Sequence, residues 1–246
     1  VLRGSGLYDN NMLRLSSNAY AKILDDNKND FIPFKSNSDK NWMFDPNGWT
    51  MSFLVNTDVQ PDTDNVIISC ANFDANDNFT EGIYITTEDV NVKFQDTAGD
   101  NKKFNLTAKL AQGMLNQIDL VFIPGKASDT KAQLKLYVNS VLAAAGISNA
   151  GYFENNGIKS YTSIDMPITF GAKNSIMSGI SKAADVNIYR VMFYKRWLTD
   201  FHIVKNYIQG QAEVNLLSDG TIDKASNIEL RNKNFFFAND GKCALI

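Results

Sequence analysis

The stretch DVNIYRVMFYKRWLTDFHIVKNYIQG, residues 185–210, changes its periodicity halfway along. In its first half Val186, Ile188, Val191, Phe193 and Tyr194 are set among Asn187, Arg190 and Lys195, the mixture of β-branched, aromatic and polar residues that makes a half-buried strand. In its second half Leu198, Phe201, His202, Ile203, Val204, Tyr207 and Ile208 recur at spacings of three, four and seven, the period of a short amphipathic helix. Thr199 or Asp200 is placed to cap that helix and Gly210 to end it. The rest of the chain decides which architecture closes on such a unit.

Short strand-like runs recur from end to end. NMLRLSS, WTMSFLVNT, NVIISCA, GIYITT, VNVKFQD, KKFNLTAKL, NQIDLVFIP, AQLKLYVNS, MPITFGA and VNIYRVMFY are separated by DANDN, TAGDN, PGKASDT and SNAGYFENNG, which carry the Asn, Asp, Gly and Ser that tight connections need. Within the runs the faces separate. Trp49, Met51, Phe53 and Val55 share one side and Thr50, Ser52 and Asn56 the other, while Leu134, Leu136 and Val138 oppose Lys135 and Tyr137. Such alternation predicts antiparallel sheets with one face packed and the other partly wet, two of them stacked core to core. No blade repeat is visible, which disfavours a propeller, and the number of runs exceeds an immunoglobulin-type sandwich and suits a jelly roll. Residues 1–210 are read as that domain and residues 211–246, with NLLSDGTI, SNIELRN and KNFFFAN, as an appendage or the start of a following domain.

Composition narrows the function classes. The chain of 246 residues is 44% hydrophobic and 11% aromatic, which suits a globular domain with a sizeable core. A net charge of −3 with scattered Lys and Arg argues against nucleic acid as a partner, and no apolar run is long enough for membrane insertion. Two cysteines, Cys70 and Cys243, are too few for a disulfide framework. The chain begins at Val1 without a signal-peptide pattern and is read as a fragment or processed product of a larger polypeptide.

Five pieces, taken in order, resemble one family. GWTMSFLVNT, GIYITTEDVNVKFQD, NQIDLVFIPGKASDTKAQLKLYVNS, MPITFGAKNS and VNIYRVMFYKRWLTDFHIVKNYI look like the serial pattern of the concanavalin A-like, laminin-G-like jelly rolls, over about Leu7 to Gly210. The resemblance implies an all-β fold, an antiparallel two-sheet β-sandwich with a short closing helix in which Trp197, Leu198, Phe201 and Ile208 plug one open end. Ser140 stands where that family's turn usually has Gly, a departure tolerated if Asn139 takes the left-handed conformation.

The chemistry-bearing residues point away from catalysis. Glucanases of the jelly-roll type carry alternate acids on one strand, and no E-x-D-x-x-E pattern occurs here; Glu81 and Glu88 are seven apart and Asp119 is solitary. His202 is the only histidine, so histidine-based triads and histidine-rich metal sites have nothing to be built from, and its place in the closing helix suits packing or capping. Calcium is the cofactor to consider. Asp74, Asn76 and Asp77 in DANDN offer hard oxygen ligands of the kind laminin-G-like relatives use at the sandwich rim, although neither DANDN nor DDNKND completes an EF-hand, and the same residues serve as ordinary turn formers.

Sugar binding needs an exposed aromatic platform with amides or carboxylates beside it. Trp42, Phe79, Tyr152, Phe153 and Tyr161 lie in loops, with Asn155, Asn156 and Asp77 able to supply hydrogen bonds. The reading is therefore a non-catalytic recognition module for a cell-surface glycan, extracellular, at a cell surface or on a virion, such as a phage tail or other adhesin, in contact with neighbouring virion or adhesin subunits. A structural assembly domain and a glycoside hydrolase remain the alternatives.

Overall fold

The structure, a computed structural model, describes residues 2–3, 7–9, 12–16, 19–25, 27–35, 42–56, 62, 64–95, 103–111, 113–125, 132–148 and 164–214. Two seven-stranded antiparallel sheets stack face to face. Sheet I runs β1 (Leu2–Arg3), β4 (Tyr20–Lys22), β13 (Thr169–Phe170), β6 (Val66–Phe73), β7 (Phe79–Thr86), β8 (Asp89–Gln95) and β9 (Lys103–Lys109). Sheet II runs β12 (Val141–Ser148), β11 (Ala132–Val138), β10 (Asn116–Ile123), β5 (Trp49–Asn56), β16 (Val186–Tyr194), β3 (Met12–Leu15) and β2 (Leu7–Asp9). A small hairpin, β14 (Lys173–Ser175) and β15 (Gly179–Ser181), and one helix, α1 (Asp200–Val214), complete the described elements. The all-β sandwich with a closing helix is thus the observed fold.

The inner faces form one core. From sheet II come Trp49, Met51, Phe53, Leu120, Phe122 and Leu134, and from sheet I Ile68, Cys70, Ile83, Val92, Phe94 and Phe104, all buried. Trp49 stacks on Phe122 with ring centroids 5.7 Å apart and lies 5.6 Å from Phe34, which in turn meets Phe94 edge-on at 4.9 Å, so one aromatic chain joins the sheets. Cys70 is fully enclosed there; burial pushes its thiol well above the ordinary range, and its Sγ donates to the Met166 carbonyl at 3.4 Å.

The strand-to-helix unit of residues 185–210 resolves differently from its expectation. Thr50 and Ser52, on the supposedly wet side of β5, are fully buried because the chain after β16 folds back over the outer face of sheet II. Thr50 Oγ1 donates to the Arg196 carbonyl at 3.1 Å and accepts the Leu198 N–H at 3.0 Å. Leu198 and Ile203 then pack on Val121 and Tyr137 as a second, smaller core. The helix covers a sheet face rather than an open end. Of the four residues expected to plug the core only Leu198 is buried, whereas Phe201 is 72% exposed and Trp197 and Ile208 are exposed too. The helix also passes through residue 210 and runs to Val214. Gly210 sits at a close approach, since a Cβ there would lie 2.6 Å from Arg190 Nη2 and 3.1 Å from Leu54 Cδ2.

The cap is shared. The Ile203 N–H donates to the Thr199 carbonyl at 3.1 Å, and Asp200 in the first turn accepts the Tyr137 hydroxyl at 2.6 Å. That bond, with Lys135 nearby, holds the Asp200 carboxyl below its usual value. His202, exposed, places Nδ1 2.7 Å from Thr199 Oγ1, a side-chain contact within the first turn. Asn139 and Ser140 both have positive φ, 51° and 65°, so the β11–β12 turn has the two left-handed residues of a type I′ hairpin. Among the described residues no helix is long and apolar enough to cross a membrane.

Beneath α1 lies a buried polar chain. Arg190 Nη2 donates to the Asn206 carbonyl at 2.7 Å and to Gln117 Oε1 at 3.2 Å, and Gln117 Nε2 donates to Asp119 Oδ2 at 2.9 Å. Burial raises the Asp119 carboxyl to about 6, against the opposing pull of its bonds with Ser52 and Gln117 and the Arg190 charge. An unfolded aspartate titrates near ~3.9, so the native state holds this proton more tightly, and the resulting stabilisation is complete below about pH 4 and lost as pH rises through 6. Urea unfolding of the wild type and Asp119→Asn checks this. Between pH 4 and 7.5 the wild type loses on the order of 2–3 kcal/mol relative to the variant; a difference that stays constant with pH contradicts the assignment.

Candidate ligand-binding rim

The DANDN loop joining β6 to β7 is ordered by its first residue. Asp74 Oδ1 accepts the N–H groups of Asn76 and Asn78, both at 2.9 Å, and Asn78 Nδ2 donates to Asp74 Oδ2 at 3.1 Å. The backbone of Asn78 is the chief reason the Asp74 carboxyl sits below its ordinary value. Asp25 uses the same device in the DDNKND stretch, accepting from Asn27 and Asn29 at 2.9 and 2.8 Å. Both loops are therefore held by side-chain-to-backbone turns of the kind Asp forms readily.

Asp77, with φ 66°, turns out of the loop towards the β14–β15 hairpin. There it meets Lys173, which is 1% exposed and whose Nζ pairs with Asp77 Oδ2 at 2.5 Å and donates to the Asp77 carbonyl at 2.9 Å. Ser175 and Ser178 donate their hydroxyls to Asp77 Oδ1 at 3.2 and 3.4 Å. The Lys173 hydrogen bond is the main cause of a lowered Asp77 carboxyl. Lys173 Nζ also lies 4.1 Å from the Phe73 ring centroid, so its desolvated charge is met by a carboxylate, a carbonyl and an aromatic face.

Around this clamp, on the side of sheet I away from the main core, stands an aromatic cluster. The β6–β7 register sets Phe73 opposite Phe79, and Tyr84 packs against both: Phe79 and Tyr84 stack at 5.6 Å with planes 17° apart, and Phe73 meets Tyr84 edge-on at 5.4 Å. Gly82, at φ 109°, permits the pairing that builds this cluster, because a Cβ would fall 2.2 Å from the Cys70 carbonyl oxygen. Burial, with the charges of Asp64 and Asp77, keeps the Tyr84 hydroxyl protonated well above its ordinary range. Asn76 and Asn78 are exposed beside the half-buried Phe79, and Ile176 and Met177 project from the neighbouring hairpin.

The rim thus gathers four of the residues expected from sequence, Phe79, Asp74, Asn76 and Asp77, in one loop and its flank. Trp42 is not among them. It is 6% exposed, lies in a 3-10 turn (Trp42–Phe44) and packs edge-on against Phe31 at 5.4 Å and Phe193 at 5.8 Å, so its ring faces serve the core and not a ligand. Tyr152, Phe153, Asn155, Asn156 and Tyr161 lie outside the described residues. Sequence reasoning missed Phe73, Tyr84 and Lys173. A hairpin register drawn across DANDN would have found the first two; Lys173 carries no local signal, since its partner is 96 positions away.

Two of the expected calcium ligands, Asp77 and Asp74, make hydrogen bonds within the protein. Both oxygens of Asp77 serve Lys173 and the two serines, and both of Asp74 serve the loop. A cation would have to displace Lys173, and among the described residues no group of three His, Cys, Asp or Glu side chains converges.

Comparison with known proteins finds no matching family profile and no curated protein similar in sequence. Solved structures do match in fold. The botulinum neurotoxin serotype D binding domain superposes with a TM-score of 0.51 at 15% identity, over 88% of this chain and 48% of that one. The binding domain of botulinum neurotoxin DC in complex with SialylT gives 0.51 at 11% identity, over 88% and 47%. The chain spans about half the length of each of these neighbours. At these identities the likeness is one of fold.

The clamp has a measurable consequence. Asp77→Asn leaves the buried Lys173 without its counter-charge and costs about 3 kcal/mol in urea unfolding, whereas Lys173→Met, which removes the charge and keeps the volume, costs about 1 kcal/mol or less. Equal losses from the two substitutions contradict a buried ion pair.

Proposed function

We propose that the chain is a non-catalytic recognition module that binds carbohydrate at the rim between the β6–β7 loop and the β14–β15 hairpin. The observation that carries this reading is the Phe79–Tyr84 stack set beside the exposed amides of Asn76 and Asn78. An aromatic face flanked by fixed polar groups suits the apolar face and ring hydroxyls of a sugar. The fold likeness adds support, because a binding domain of this architecture was solved in complex with SialylT. The carrier we favour is a larger extracellular or surface protein; the two neighbours in fold named above are binding domains of toxins.

The hydrolase alternative is weakened by placement. Glu81 lies buried in sheet I and Asp119 is enclosed under α1 against sheet II, so these two carboxylates do not flank one cleft as a glycosidase pair must. The proposed site is built without calcium, because Asp77 is paired with Lys173 and Asp74 with its own loop.

A glycan array, sialylated structures included, tests the reading with the wild type, Phe79→Ala and Asn76→Ala, the last keeping the loop's backbone bonds intact. Binding by the wild type, weakened at least ~10-fold by each substitution and unchanged by chelator, is expected, a loss of about 1.4 kcal/mol or more per variant. A blank array with folded protein, or binding indifferent to both substitutions, rejects it.

A further inference from the structure

α1 is held to sheet II by a contact much smaller than the main core. Leu198 and Ile203 join Val121 and Tyr137 in the second core, while Phe201, Val204 and Ile208 face solvent. Polar ties add to this: the Thr50 hydroxyl with residues 196 and 198, the Tyr137 hydroxyl with Asp200, and Arg190 Nη2 with the Asn206 carbonyl. An element with few buried apolar contacts opens ahead of the domain that carries it.

The last of these ties leads to a buried carboxylate. Arg190 also donates to Gln117, which donates to Asp119, so the hold on Asn206 continues into a side chain wholly removed from solvent. Asp119 Oδ1 has no hydrogen-bond partner among the described residues. The residues opposite Asp119 in the sheet are Ser52 on β5 and Tyr137 on β11. Its ionisable neighbours are therefore Arg190 from β16 and Tyr137 from β11, for β5 carries no ionisable residue and β10 none besides Asp119. α1 reaches the cluster through the Asn206 carbonyl. Of its ionisable side chains, Asp200 is bonded to Tyr137 and lies 3.5 Å from Lys135 Nζ, Tyr207 is half-buried, and His202 and Lys205 are exposed.

We propose that α1 is a pH-gated cover on the outer face of sheet II, closed most firmly in mild acid and opening more often towards neutral pH, with Asp119 as the group that sets the response. Closed, the helix seals the carboxylate from water and favours its neutral form; opened, the same group is hydrated and ionises readily. The closed-state value of about 6, against ~3.9 in water, fixes the sign: the contribution of Asp119 to closure is complete below about pH 4 and is lost as pH rises through 6. Asp200 acts the other way, because its lowered carboxyl supports the closed state where it is ionised and that support fades as pH falls below ~3.9. Between pH 5 and 7.5 Asp200 stays ionised and Asp119 governs, so the opening constant rises about 10-fold. Opening uncovers Thr50, Ser52, Val121 and Tyr137, a face apart from the carbohydrate rim, and the inference does not depend on that reading.

Native-state amide hydrogen exchange of the 246-residue chain at pH 5 and 7.5, read as protection factors after correction for the pH dependence of the intrinsic rate, tests the proposal. The amides from Ile203 to Gly210 are expected to be at least ~10-fold less protected than those of β6 and β7 at both pH values, and to lose about 10-fold in protection between the two. Asp119→Asn keeps the size of the side chain and removes its charge, so α1 is then protected equally at both pH values. His202→Gln, at the exposed histidine, retains the fall. Exchange of α1 in step with β6 and β7, a wild-type protection that does not fall, a fall that persists in folded Asp119→Asn, or one that disappears in His202→Gln overturns the proposal. The wild-type series decides by itself where a variant does not fold.

Discussion

The aromatic chain from Trp49 through Phe34 to Phe94, with Phe122 stacked on Trp49 and Phe104 edge-on to Phe122 at 6.2 Å, is the contact on which the sandwich depends. Its rings come from both sheets and from the loop between β4 and β5, so they fix the distance between layers and the position of that loop together. Large buried rings contribute heavily to such cores through area and through edge-to-face geometry. Placing Trp49 inward forces Thr50 and Ser52 outward on the central strand of sheet II, and their polar atoms then need cover and partners. The return of the chain over them supplies both, through the Thr50 bonds to residues 196 and 198 and the packing of Leu198 and Ile203. A strand passing straight into a helix is the shortest route to that cover.

The same sandwich delivers the rim. β6 and β7 are central in sheet I and rigidly paired, so their connecting loop is presented on a fixed base, and the small hairpin packed beside β6 brings Lys173 under it. A buried lysine is costly unless its charge is met, and here Asp77, its own carbonyl and Phe73 meet it. The outcome is a loop whose shape is set before any ligand arrives, which lowers the ordering cost of binding. The likeness to neurotoxin binding domains is one of fold, and the rim is read from this chain's own residues.

Much of this was legible from residue order. The alternation of Trp49, Met51, Phe53 and Val55, the paired pattern of β10 and β11, and the change of period after Tyr194 set the layers, the hairpin and the helix, because each is a local pattern of burial. β12 was not legible: VLAAAGIS has neither the β-branched density nor the alternation of a half-buried strand, and it is held by pairing with β11 and by packing on Phe104. Trp42 misled because a loop position says nothing of burial, and its ring had core partners 11 and 151 positions away. Loop carboxylates were ambiguous for a related reason. Asp74 is satisfied locally, as turn chemistry suggests, but Asp77 is satisfied by a lysine from a distant hairpin that only the folded chain brings near.

The most direct test of the central claim, that the rim of β6–β7 and β14–β15 is where carbohydrate is recognised, is amide chemical-shift mapping of the isotope-labelled chain during titration with a sialylated oligosaccharide. The account predicts shifts concentrated at residues 73–80 and 173–178, with α1 and the outer face of sheet II unmoved. Saturable shifts centred elsewhere, with the rim silent, would contradict it.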